Sequence, residues 1–181
     1  MVFNYKRKAK SNSYKCVNGQ PYRRMYNSVT GIAIHYTGGS KDTAKNECDY
    51  FATGNDRYAG AHSFVDYDGK TGMSIPASYI AWSVGDSSNG HGTLYNKYNN
   101  SNTISIELCG IAGRDISDKQ LKALKKLIRY YKHKCPNITN IIRHYDVTTK
   151  ACPARYCGTI TNNNKWQTLK SELMLELKKT L

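Results

Sequence analysis

The sequence predicts an α/β fold, a single domain over residues 1 to 181 with a central mixed β-sheet flanked by helices. Two observations carry this. Apolar residues alternate with period two around Ile32 and again around Ile104, and they recur at helical spacing from Leu121 and again from Trp166. The two kinds of segment also alternate along the chain, with no internal repeat, low-complexity tract or linker between them.

Residues 1 to 28 lack sustained periodicity, and Lys6, Arg7, Lys8 and Lys10 crowd together there, so this stretch reads as an irregular basic arm packed on the domain. From Thr30, Ile32 and Ile34 alternate with Ala33 and His35 in a half-buried strand that ends at the turn formers Thr37, Gly38 and Gly39. Ser40 is the expected N-cap of a helix carrying Ala44, Cys48 and Phe51, which Gly54 and Asn55 stop. A second strand is expected from Ala61 to Tyr67, turning at Asp68 and Gly69. Residues 83 to 102 hold too much glycine and asparagine for a long regular element and read as a surface loop. In the next strand Ile104, Ile106 and Leu108 point one way, and Ser105, Glu107 and Cys109 the other. Ser117 and Gln120 resemble a capping box for a helix over residues 118 to 134, whose apolar stripe is Leu121, Leu124, Leu127, Ile128 and Tyr131. Its opposite face carries Lys119, Lys122, Lys125, Lys126, Arg129, Lys132 and Lys134. A last strand spans Ile138 to His144, and a helix over residues 159 to 181 closes the chain with Trp166, Leu169, Leu173 and Leu177 inward.

Composition excludes several classes. Hydrophobic residues make up 39% and charged residues 22%, which rules against collagen-like, coiled-coil and fully disordered chains. No apolar run approaches the ~20 residues of a membrane-spanning helix, so membrane insertion is not expected. Residues 1 to 20 stay polar beyond Val2 and Phe3, unlike an export signal. The six cysteines are scattered and read mostly as reduced thiols. A net charge of +14 favours a polyanionic partner, and by itself leaves nucleic acid, anionic lipid and an anionic bacterial envelope open.

Three side chains suit a metal: His35 at the end of the first strand, His144 at the end of the last, and Cys152 a short loop beyond. Zinc accepts imidazole nitrogen and thiolate sulfur, and three protein ligands leave a fourth position open, the catalytic rather than the structural pattern. Spacing alone favours ordinary buried or surface residues over a metal site. The segments IAIHYTGG, AHSFVDYDGK, AWSVGD, NTISIELCG and IIRHYDVTTKACP, in this order, go further. They resemble the zinc-dependent type-2 N-acetylmuramoyl-L-alanine amidases, a family that includes phage endolysins and peptidoglycan-recognition proteins. The surroundings of Glu107 are most similar to endolysins of Gram-positive phages, and the resemblance covers about residues 28 to 157.

That resemblance implies one zinc ion held by His35, His144 and Cys152 in a cleft at one edge of the sheet. Glu107 falls on the general base and Lys150 on the lysine near the reacting oxygen. Some relatives place a catalytic tyrosine where Ala61 stands here, a task that Glu107 is expected to take over. Trp82 and Asp86 match a segment bordering the cleft, where Trp82 either packs on substrate or serves the core. His62, on a strand beside the cleft, either hydrogen bonds near the substrate or is a satisfied core histidine. The implied activity is hydrolysis of the amide between N-acetylmuramic acid and L-alanine in bacterial peptidoglycan. Such an enzyme is made without a signal peptide in the host cytoplasm and reaches the cell wall after the membrane is permeabilised. The alternative is a non-catalytic peptidoglycan-binding module of the same fold. No motif points to a specific nucleic acid, a monomer is expected, and the basic helix offers non-specific attraction to the anionic envelope.

Overall fold

The apolar alternations around Ile32 and Ile104 become adjacent parallel strands deep in a mixed sheet. The computed structural model describes residues 2 to 85 and 89 to 179. In chain order the elements are β1 (Tyr5–Lys6), β2 (Cys16–Val17), β3 (Gln20–Pro21), β4 (Gly31–Tyr36), α1 (Ala44–Asp49), β5 (Ser63–Val65) and β6 (Thr71–Met73). There follow β7 (Thr103–Leu108), α2 (Asp118–Lys134), β8 (Asn140–Arg143), α3 (His144–Thr148) and α4 (Ile160–Glu176). Six strands form the sheet in the order β1-β6-β5-β7-β4-β8, and β2 pairs with β3 in a separate hairpin. Within the six-stranded sheet only β5 and β6 run antiparallel.

Residue parity divides the sheet's two faces. Ile32, Ile34, Ile104, Ile106 and Leu108 meet Leu124, Leu127, Ile128 and Tyr131 of α2 and Trp166, Leu169 and Leu173 of α4. Full burial of each large aliphatic side chain contributes roughly 1.5–3 kcal/mol, which makes this layer the main source of stability. The odd-numbered positions of β4 and β7 face the other way, together with their register partners Ile142 and Phe64; there Phe64 packs with Cys48 of α1 and Phe51, and Ala33 and Ile142 meet Val84, Tyr98 and Val147. All six cysteines are free thiols. Among the described residues no helix is long and apolar enough to cross a membrane.

Several boundaries differ from the sequence reading. The first helix is capped by Thr43, whose hydroxyl accepts from the Asn46 N–H, and not by Ser40. The reason is Asp42: its carboxylate accepts from the Thr37 hydroxyl and from the Gly39 N–H at 3.0 Å, closing residues 37 to 42 into a turn. The second strand shortens to three residues, and β6 appears where the pattern was silent. A Cβ at Gly72 would lie 2.5 Å from Cys48 Sγ and 2.8 Å from the Ala44 carbonyl, so glycine is what lets α1 rest directly on β6. The segment expected to be irregular, residues 1 to 28, extends the sheet through β1 and holds the hairpin.

Ser117 caps α2 by accepting from the Gln120 N–H at 3.1 Å, as anticipated. The Gln120 side chain does not close the box; it is fully buried and donates to the carbonyls of Val65 and Cys109, tying the helix to two strands. α4 ends at Glu176, and its Glu172 and Glu176 pair with Lys125 and Arg129 of α2. Of the seven basic residues expected on the solvent face of α2, Lys125 and Arg129 are therefore paired with α4, and Lys132 donates to the Ile138 carbonyl at 2.9 Å. Residues 89 to 102 contain turns but no helix or strand, and they are anchored onto α3 by Gly92 N–H to the Val147 carbonyl at 2.9 Å and Leu94 N–H to the Asp146 carbonyl at 2.7 Å.

Candidate active site

Strand register assembles the site. In the parallel ladder of β4 and β7, His35 stands opposite Glu107, while Ile34 stands opposite Arg143 of β8. One further step along β8 brings His144 abreast of His35, at the carboxyl ends of three parallel strands, where open α/β sheets place their ligands. His144 is the first residue of α3, and the residue before it caps that helix. The Arg143 guanidinium is bonded to the Asp146 carboxylate at 2.6 and 3.0 Å and to Asn163 Oδ1 at 2.7 Å, and both ionic side chains are nearly buried. Cys152 returns through a short loop. Thr149 takes a left-handed conformation with φ 58°, reversing the chain after α3, and Tyr145 N–H donates to the Cys152 carbonyl at 3.0 Å.

These elements place the donor atoms of His35, His144 and Cys152 within 4.8 Å of one another, all in buried residues. Cys152 Sγ lies 3.7 Å from His35 Nδ1. Tetrahedral zinc with the usual bond lengths separates a nitrogen and a sulfur ligand by about 3.5 Å, so the donor set and its spacing fit zinc. Electrostatics agree. Burial, His144 and Lys150 hold the His35 imidazole neutral, well below its usual range, as a metal ligand requires. In the absence of a cation, burial and Glu107 push the Cys152 thiol upward, so thiolate formation is coupled to arrival of positive charge. Glu107 is pushed to about 8, first by burial and then by Glu47, with Lys150 opposing, and its Oε2 is buried without a hydrogen-bond partner.

His35, His144, Cys152, Glu107, Lys150 and Trp82 all line a cleft of about 300 Å³. Trp82 is half-buried, with one face on the cleft. His62 does not line this cleft, and of the two roles the sequence left open its setting is that of a satisfied core histidine. It is fully buried; Nδ1 accepts from Ser105 N–H at 3.0 Å, so Nε2 carries the proton and faces the Tyr79 carbonyl at 3.2 Å. Burial and the adjacent Arg24 guanidinium keep it neutral. Both ring nitrogens are thus committed to the interior. Asp86 lies outside the described residues.

The sequence reading missed Arg24, Glu47 and Arg57. Arg24 is buried and donates to the carbonyls of Ala77, Asn100 and Ser101, each at 3.0 Å, clamping the loop behind the cleft to the segment after β6. Burial lowers its pKa to about 10. Glu47 and Arg57 line the cleft. Helical spacing held the signal for Glu47, since it falls between Ala44 and Phe51 on the inward face of α1, a costly place for a carboxylate without a task.

Residues 25–155 match the family model described as N-acetylmuramoyl-L-alanine amidase. The chain belongs to this amidase family. The match includes every residue of the proposed metal and acid/base set. It excludes β1, which forms one edge of the six-stranded sheet, the separate hairpin, and α4 of the helical layer. Over 131 residues the chain is 31% identical to the N-acetylmuramoyl-L-alanine amidase CwlL of Bacillus licheniformis, covering 70% of this chain and 36% of that protein. It therefore spans about a third of the length of such curated relatives. Among solved structures, PlyL superposes with a TM-score of 0.69 at 23% identity, covering 96% of this chain and 97% of that one. The PlyG catalytic domain superposes at 0.70 with 22% identity, covering 96% and 94%. At this identity the two structures establish a shared fold.

Proposed function

We propose that this protein hydrolyses the amide between N-acetylmuramic acid and L-alanine in bacterial peptidoglycan, as the zinc-dependent catalytic domain of a phage or prophage endolysin. The observation that carries the reading is the convergence of His35, His144 and Cys152 with Glu107 and Lys150 on one cleft. The complete donor set, with a carboxylate beside it, counts against a non-catalytic binding module.

His35, His144 and Cys152 would hold the ion. Bound there, zinc supplies Lewis acidity, bringing the pKa of water in its open position to about 7 and polarising the scissile carbonyl. Glu107 takes a proton from the attacking water and returns it to the leaving amine, a task suited to a carboxyl whose buried setting raises its proton affinity. The Lys150 ammonium, exposed at the rim, offsets the negative charge that develops on the carbonyl oxygen. Arg143 positions His144 through Asp146 and Asn163. On this reading the enzyme is made in the host cytoplasm and meets the wall once the membrane is permeabilised. Mass spectrometry of peptidoglycan digested by the zinc-loaded protein should show new L-alanine amino termini with intact glycan strands. New reducing sugar ends without free amino termini would overturn the assignment.

Attraction to the wall falls to Lys119, Lys122 and Lys126, which line one hollow on α2, because Lys125 and Arg129 are paired with α4. Replacing these three lysines by Glu should slow lysis at low salt, with the parent approaching the variant as salt rises and screens the charge. Identical salt profiles for the two proteins would remove this role.

A further inference from the structure

The cleft has two chambers and a direction. One is the cleft of about 300 Å³, and the other, of about 480 Å³, shares Ala59, Trp82, Ser83, His144 and Lys150 with it. Beyond that common wall the first chamber continues to Glu107, Glu47, Phe51 and Arg57, and the second to Tyr58, Gly85 and Asn100. Glu107 borders only the first. In amide hydrolysis the proton goes to the departing nitrogen, so the amine half of the substrate lies on the side of the proton donor. On the proposed hydrolase reading the peptide falls in the first chamber and the muramoyl group in the second, past the exposed ring of Tyr58.

Glu47 and Glu107 also line the peptide chamber. Two cations line it, Lys150 and Arg57, and Lys150 is placed at the reacting carbonyl. Arg57 is held on a fixed loop. Its N–H donates to Asn55 Oδ1 at 3.1 Å, and the fully buried Asn55 amide donates to Ser13 Oγ and to the Ala59 carbonyl, both at 2.9 Å. The guanidinium lies 6.0 Å from the centre of the Tyr50 ring. In peptidoglycan stems the residue after L-alanine is D-glutamate or its amidated form, D-isoglutamine, which differ by one negative charge.

We infer that Arg57 is a specificity-determining residue that favours stem peptides whose second residue carries a free carboxylate over those in which it is amidated. A planar guanidinium presents paired donors that two carboxylate oxygens accept, whereas a neutral amide offers one acceptor oxygen and no opposing charge. The inference rests on the proposed hydrolase reading, which fixes the direction of the cleft.

The test compares kcat/KM of the zinc-loaded protein on muramoyl-L-alanyl-D-glutamate and muramoyl-L-alanyl-D-isoglutamine. The parent should prefer the former by about tenfold, in keeping with a partly exposed charge-assisted hydrogen bond. In Arg57→Gln the ratio should fall to about one, and Arg57→Lys should restore part of it. A parent with no preference, an Arg57→Gln variant that keeps the parent's ratio, or an equal loss on both substrates overturns the role of Arg57 and leaves the hydrolase reading standing. Failure of the parent to cleave either compound overturns that reading itself.

Discussion

Glu107→Gln is expected to reduce peptidoglycan hydrolysis by about 10²–10⁴-fold, the range for loss of a positioned acid/base, while zinc content stays at the parent's level. The substitution keeps shape and removes only the ability to carry the proton. Glu107 is not among the three residues whose donor atoms converge, so metal retention follows from the same geometry. The buried Oε2 has no hydrogen-bond partner to lose, which makes gross unfolding an improbable route to inactivity. Turbidity loss of cell walls and metal analysis on the same preparation check both halves. Activity within tenfold of the parent would show that the proton moves by another group.

Cys152→Ser should lose zinc and lysis together. A hydroxyl is a far poorer zinc ligand than a thiolate at neutral pH, and the two histidines alone leave the site open on two sides. A thermal readout separates this from a purely chemical effect. Added zinc stabilises the parent by mass action, about 4 kcal/mol at a thousandfold excess over Kd, and should shift the variant's Tm far less. A chelator should bring the parent down to the variant's behaviour, with recovery on zinc addition. Stoichiometric zinc and full lysis in the variant would remove Cys152 from the ligand set.

Much of this was legible because local pattern and tertiary role coincide. β4 and β7 alternate cleanly, so their existence, their buried faces and the placement of His35 and Glu107 opposite the aliphatic layer follow from period two. The α2 stripe likewise announces a helix with one buried face. Where two local signals competed, the sequence misled. Ser40 is as good a cap as Thr43 in isolation, and Asp42 decides between them by closing the preceding turn. Ser117 and Gln120 have capping-box spacing, yet the Gln120 amide serves carbonyls of two strands because those strands end beside it. β6 shows no pattern at all, since three short residues paired on both sides need none.

The sequence by itself determined the fold class, the main strands and helices, the family resemblance and the residue types proposed for the metal and acid/base set. These are written in periodicity and in short motifs, which are local. Tertiary structure alone decided which candidates meet. It brought His35, Glu107 and His144 abreast through parallel register, added Glu47 and Arg57 to the cleft, and withdrew His62 into a buried network with Arg24. It also paired Lys125 and Arg129 of the positive face of α2 with glutamates of α4. The physical reason is common to all of these. Burial and charge pairing belong to groups distant in sequence, and a histidine or a lysine carries no local mark of what will be packed against it.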